Sequence, residues 1–396
     1  MTSHTGRATG FGRVAAGIAA AIAREGEVHV VGLGAPLGSE PWLGHAHNER
    51  FDPTRTSAVS SLAAALRPEA VVLVGQAQVT AWMVERLRRD GFQGALLVYV
   101  PVEGRLVRPQ GLAFLGRADV LVAYTEGGAA TLRDGFARLG GPQPLVVAIP
   151  HAIAAPPLAP RPREELRREL FPRWLHRAAG TWLLNGNRHD SRKRPELTLR
   201  AFASLAADHP AATLVLHCRA ARPGLNLRIE RDRLGLRGSV ILTEEEGEPV
   251  YDESRLGALY SACEIGVNSA SAEGWGLVAF EHALHGAAQV LPDHETLREL
   301  WGAAPVWVKT GREVVVDEVF SGAEPDVGAL AEAMRGLLKR VAHRQAVANA
   351  CARRAAAPAY RWDAAGRLWC ELLGRVRFRA CRPVAGTSPR QEDTHP

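Results

Sequence analysis

The chain has 396 residues, 46% of them apolar and 23% charged. This is the make-up of a folded protein of two or at most three domains, and it excludes collagen-like, low-complexity and largely disordered classes. The net charge is +6, yet only Lys193, Lys309 and Lys339 of the 48 basic residues are lysines; no arginine run is interleaved with aromatics, so nucleic acid is not an expected partner.

In chain order, short apolar runs alternate with helical patterns, the signature of parallel strands covered by helices on both faces. Strands are predicted at 28–33, 70–74, 95–100, 119–124 and 145–149, with helices at 14–24, 58–66, 79–89 and 127–138. Pro150, Pro156, Pro157, Pro160 and Pro162 then mark 151–162 as an inter-domain linker, because proline removes donors and fixes φ. The alternation restarts with strands at 182–185, 213–217, 239–242, 265–268, 288–291 and 306–308. Helices follow at 195–207, 254–261, 277–285, 296–301, 327–342 and 363–375. The expected fold class is α/β, two doubly wound Rossmann-like domains over 1–155 and 156–358, then a helix over 359–380 and a disordered tail over 383–396.

No apolar run is long enough to span a bilayer, and residues 1–12 lack the apolar core of a signal peptide. Five cysteines, an odd number without a C-x-x-C pair, exclude a disulfide framework and a zinc module. They read as reduced thiols of a cytoplasmic protein.

Three segments carry chemistry. In the first, a strand ending at Asn268 leads through small residues to Glu273-Gly274-Trp275-Gly276, which opens a helix at Leu277 carrying Glu281. Ligands of open α/β sheets sit beyond the carboxyl ends of the strands, and a helix N-terminus favours an anion there. Two carboxylates so placed suit the hydroxyls of a sugar and a ribose. The competing reading makes Glu273 a helix-end charge and Glu281 a solvated surface residue.

In the second, a strand ending at Asn185 is followed by Arg188, Arg192, Lys193 and Arg194 and then an amphipathic helix, a natural diphosphate site. Arg188 and Lys193 are the candidates, while Arg192 and Arg194 are ascribed to a solvated loop in an arginine-rich chain. The third is the glycine turn Gly10-Phe11-Gly12 entering a helix, a backbone cradle for a phosphate. It is weak as a dinucleotide fingerprint, because MTSHTGRA before it is no strand and no acid ends the next strand. No Asp-x-Asp, G-x-S-x-G or G-x-x-x-x-G-K-[ST] motif occurs. His282 reads as packing and His294 as part of a turn near the site.

With these residues on view, the chain resembles the retaining glycosyltransferases of family 4, which have the GT-B fold of two facing Rossmann-like domains. The likeness spans TGFGRVAAGIAAAIA, YVPVEG, ADVLVAYTEGG, IPHAI, NRHDSRK, LYSACEIGVNSASAEGWGLVAFEH and PDHETLREL. EGWGLVAFE is similar to the family's E-G-[FYW]-G-L-x-x-x-E signature. The resemblance implies that Glu273 contacts the donor sugar, that Glu281 holds the ribose hydroxyls, and that Arg188 and Lys193 neutralise the diphosphate. It further implies that Asn187, Gly274, Trp275, Gly276 and Leu277 line the donor, and that Gly10, Phe11 and Gly12 approach it from the opposite domain. Glu103 and His151 fall on the acceptor side. Ala152 stands where the family usually has glycine, and Glu103 where many members have a histidine.

The expected activity is retaining, metal-independent transfer from a UDP- or GDP-sugar to an acceptor hydroxyl of a glycan or glycolipid, as in polysaccharide biosynthesis. No other cofactor is expected. A lipid-linked acceptor would bring the protein to the inner face of the plasma membrane. The rivals are a catalytically inactive transferase-like binding subunit, a phosphorylase or nucleotide-sugar epimerase of the same fold, and a nicotinamide oxidoreductase.

Overall fold

The continuous apolar runs become parallel strands buried on both faces, as with 95–100, where all six side chains are buried. The computed structural model describes residues 10–33, 43–47, 57–141, 143–159, 161–247 and 250–380. In the first half, Ala70–Val74, Ala95–Val100, Val120–Ala123 and Leu145–Ala148 pair in that order as a parallel sheet. A separate parallel pair joins His29–Leu33 to Leu43–His47. In the second half, six parallel strands run in the spatial order Val240–Leu242, Thr213–Leu216, Trp182–Asn185, Ile265–Val267, Ala288–Pro292, Val306–Val308. Chain progress reverses between Trp182–Asn185 and Ile265–Val267. That point is the topological switch, where loops diverge and leave a crevice.

The expected strands coincide with the observed ones to within a residue or two. Other elements differ. Residues 327–342 do not form one helix: the chain turns at Arg340, giving Val327–Lys339 and Val341–Ala355. An unpredicted antiparallel hairpin, Thr310–Val315 with Phe320–Pro325, takes Arg105–Leu106 from the first half as its third strand. The proline segment is not a free linker, for Pro156 is buried and its carbonyl is bonded by His285 Nε2 at 3.1 Å. The expected tail over 383–396 and the segment MTSHTGRA, read as no strand, lie outside the described residues.

Among the contacts that join the halves, three hold the architecture together. The last helix, Trp362–Ala380, lies on the helix Gly10–Ile22, where a Cβ on Gly17 would overlap the Trp362 ring. Its Trp369 packs edge-on against Tyr99, ring centroids 5.2 Å apart. Glu299, from the helix Glu295–Trp301, accepts the backbone N–H groups of Glu126 (2.8 Å) and Gly127 (2.9 Å), capping the first-half helix Glu126–Leu139. The third is the shared antiparallel sheet. A single apolar cluster accordingly runs through both halves, including Leu97 and Val122 on one side and Leu183 and Leu214 on the other. No helix among the described residues is long and apolar enough to cross a membrane.

Candidate functional site

The loops 186–194 and 268–276 leave the two strands that flank the switch point, and polar side chains lace them together. Asn185 donates from Nδ2 to Thr198 Oγ1 (2.8 Å) and Ser269 Oγ (3.1 Å) and accepts the Asn187 N–H on Oδ1 (3.1 Å). Asp190 Oδ1 accepts the N–H groups of Arg192 (3.1 Å) and Lys193 (2.8 Å), closing a tight turn. The Ser271 N–H donates to the Arg192 carbonyl at 2.8 Å. His294 Nε2 lies 2.9 Å from the Ala270 carbonyl, as its expected place in a turn near the site requires.

This lacing gathers four charges. Lys193 Nζ lies 2.6 Å from each oxygen of Glu273, whose side chain is 2% exposed. Asn268 Nδ2 donates to Glu273 Oε1 at 2.9 Å. Arg192, 11% exposed, donates to the Ala272 carbonyl (2.7 Å) and lies 3.4 Å from Glu273 Oε2. Its other terminal nitrogen reaches Glu103 across the cleft at 2.9 Å. Burial alone would raise the Glu273 carboxyl, but the Lys193 and Arg192 charges outweigh it and hold the group at about 2. Burial raises Glu103 in spite of Arg192 and Lys193 nearby, and it lowers Lys193 in spite of Glu273.

The depressed Glu273 value sets an acid limit. Its contribution to stability is complete above the ordinary value of 4.5 and is lost as pH falls through about 2. Glu273→Gln is therefore expected to flatten the acid limb of the stability–pH curve between those values, measured as urea midpoints; an unchanged limb would contradict the assignment.

The second carboxylate faces the first half. Glu281 is 2% exposed, accepts Arg13 Nη1 on Oε1 at 2.6 Å and Tyr260 Oη–H on Oε2 at 3.1 Å. Burial raises its carboxyl, opposed by Arg13 and Tyr260. It sits on the helix Leu277–Leu284, which follows Gly276 at φ +88° and has no side-chain cap on its first N–H groups. That helix start meets the start of Gly10–Ile22, where a Cβ on Gly10 would lie 3.4 Å from Leu277 Cδ1. Two positive helix ends thus converge beside the charge cluster.

The structure places Lys193, Glu273, Glu103 and Gly274 together, with Gly10, Leu277 and Glu281 alongside. The solvated readings of Glu273 and Glu281 are excluded by their burial. Phe11 is partly buried, Gly12 and Asn187 buried. Arg188 stands apart, 71% exposed, with Asp190 at 3.4 Å. Arg192 needs correction: the residue ascribed to a solvated loop is 11% exposed and reaches Glu103 across the cleft. Arg194, partly buried, pairs with Glu196 and Glu324. His151 is enclosed by Tyr99, Tyr124 and Trp275, and burial lowers it to about 3, so it is neutral. His282 packs within the core, its Nε2 lying 3.1 Å from the Cys263 carbonyl. Sequence reasoning missed Arg13, Tyr260 and Asn268 as site residues. Only the position of Arg13, next to the glycine turn, could have signalled it.

No family model matches the sequence, and no curated protein is similar to it. Solved structures are similar. Sucrose-phosphate synthase from Thermosynechococcus elongatus superposes with a TM-score of 0.72 at 17% identity, over 96% of this chain and 98% of that one. HepE from Anabaena, in complex with UDP and glucose, gives 0.70 at 14%, over 94% and 98%. A UDP-forming α,α-trehalose-phosphate synthase from Burkholderia vietnamiensis gives 0.70 at 14%, over 96% and 97%. The likeness establishes the fold: the chain is GT-B, two Rossmann-like domains facing across a cleft.

Proposed function

We propose that the protein is a retaining, metal-independent glycosyltransferase of the family 4 type. It moves a sugar from a UDP- or GDP-sugar to a hydroxyl of a glycan or lipid-linked acceptor. In this reading residues 1–155 form the acceptor side, 156–358 the nucleotide-sugar side, and 359–380 the helix that returns to the first domain. The observation that carries the proposal is the four-charge cluster of Lys193, Glu273, Arg192 and Glu103, built at the switch point and reaching across the cleft. The UDP and glucose in the similar HepE structure support it.

The chemistry follows from the charges. When the bond between the anomeric carbon and the phosphate oxygen breaks, its electron pair stays on the diphosphate. Lys193, with Arg192 and the Leu277 helix N-terminus, supplies preorganised positive charge to stabilise it, and the exposed Arg188 side chain adds its charge by swinging in from the loop. Glu273, ionised down to about pH 2, accepts hydrogen bonds from the sugar hydroxyls and cannot serve as a proton donor near neutrality. The acceptor oxygen bonds the same face, and its proton passes to the departing phosphate oxygen. Glu103 and His151 are the acceptor-side residues, of which Glu103 carries the charge.

Release of nucleoside diphosphate from UDP-, GDP- or ADP-sugars, with and without added glycan acceptors, tests the proposal; a protein that binds these donors without any turnover would be the inactive subunit instead. Arg188→Ala separates function from folding. Its exposed side chain makes a stability change within about 0.5 kcal/mol the expectation, against a turnover loss of roughly 10- to 100-fold. Wild-type turnover would remove Arg188 from the site.

A further inference from the structure

Glu281 is closed off from solvent. Its side chain is 2% exposed, with Arg13 on one oxygen and Tyr260 on the other, so a ligand hydroxyl reaches the carboxylate only where one of these two side chains gives way. The two donors are not equivalent. Tyr260 belongs to the same half as Glu281, is buried, and is held between His282 and His285, ring centroids 5.5 and 5.6 Å away. Arg13 comes from the opposite half, 268 positions away in sequence, and remains 19% exposed. Its Nε is buried with no partner among the described residues. Of the two, Arg13 is the donor that can leave. It stands in the first turn of Gly10–Ile22, facing the start of Leu277–Leu284. An anion drawn to those two helix ends therefore arrives beside its guanidinium.

We propose that Arg13 is an exchange residue. Entry of a nucleoside diphosphate transfers Glu281 from Arg13 to the ribose hydroxyls, and Arg13 from Glu281 to the diphosphate. This rests on the nucleotide-sugar reading above and adds a selection rule to it. A ligand with both a ribose diol and a diphosphate replaces both halves of the broken ion pair. A nucleoside leaves the guanidinium unpaired, and a bare pyrophosphate leaves the carboxylate unpaired; each omission is costly in a buried site.

The test is calorimetric titration of the full-length protein. UDP, GDP and ADP are first titrated into wild type to find the base it accepts. That nucleotide and its parent nucleoside are then titrated into wild type, Arg13→Ala, Arg13→Lys and Glu281→Gln. Arg13→Ala is expected to weaken the diphosphate by about tenfold or more while the nucleoside binds equally or more tightly. Arg13→Lys keeps the charge and should recover part of the loss, which also covers the case in which Arg13→Ala folds poorly. Glu281→Gln should weaken both ligands. Equal weakening of nucleoside and diphosphate by Arg13→Ala would mean that Arg13 only orients Glu281, and no weakening of either would make the pair a simple latch; both results overturn the exchange. Failure of wild type to bind any of the three nucleotides would instead overturn the nucleotide reading itself.

Discussion

Lys193→Met is expected to abolish measurable transfer, by roughly 100-fold or more, and at the same time to cost about 3 kcal/mol of stability. The second effect arises because Glu273 is buried with Lys193 at 2.6 Å from both its oxygens. Without that partner the carboxylate keeps Arg192 at 3.4 Å and the Asn268 amide at 2.9 Å. Adding Glu273→Gln to the same chain removes the uncompensated charge and should restore a good part of the lost stability, with no return of activity. Urea midpoints for the two single variants and the double variant give the coupling directly. Additive losses would show that the two side chains do not form the pair described.

Gly104→Ala should destabilise the protein by about 2–4 kcal/mol. Gly104 has φ +120°, and a Cβ there would overlap the Ser321 carbonyl oxygen, a backbone atom that cannot swing aside. Gly247, at φ +133° with nothing within 4 Å, supplies the control. Gly247→Ala suffers the conformational strain without the collision and should lose only about 1 kcal/mol. Comparable losses in the two variants would mean that the close approach at Ser321 contributes nothing.

The parallel strands were legible because burial on both faces leaves an unmistakable mark, an uninterrupted apolar run such as ALLVYV at Ala95–Val100. The hairpin leaves none. Thr310–Val315 reads TGREVV and Phe320–Pro325 reads FSGAEP, each mixing glycine or proline with charge and lacking alternation. Its strands are specified by what they pair with, including a two-residue strand more than 200 positions earlier.

The site divides in the same way. Glu273 and Glu281 could be read from the turn and helix beside them. The place of Arg192 could not, because nothing local distinguishes an arginine that meets Glu103 and Glu273, between 80 and 90 positions away on either side, from the many arginines on the surface. Arg13 is the extreme case, its partner lying in the other half of the chain. The abundance of arginine in the chain made Arg192 read as loop surface and so hid it.

The shared antiparallel sheet bears on how such a molecule can move. Ser321 and Phe320 pair with Arg105 and Leu106 of the first half, while the Ala323 N–H bonds the Ser271 carbonyl at 2.8 Å, two residues before Glu273. The strand is therefore a tie rod with one end on each lobe. Widening the crevice must either peel it from Leu106 or drag the Ser271–Glu273 corner along with the first lobe. The width of the interlobe gap and the attitude of the Glu273 carboxylate are thus mechanically geared to one another through this strand.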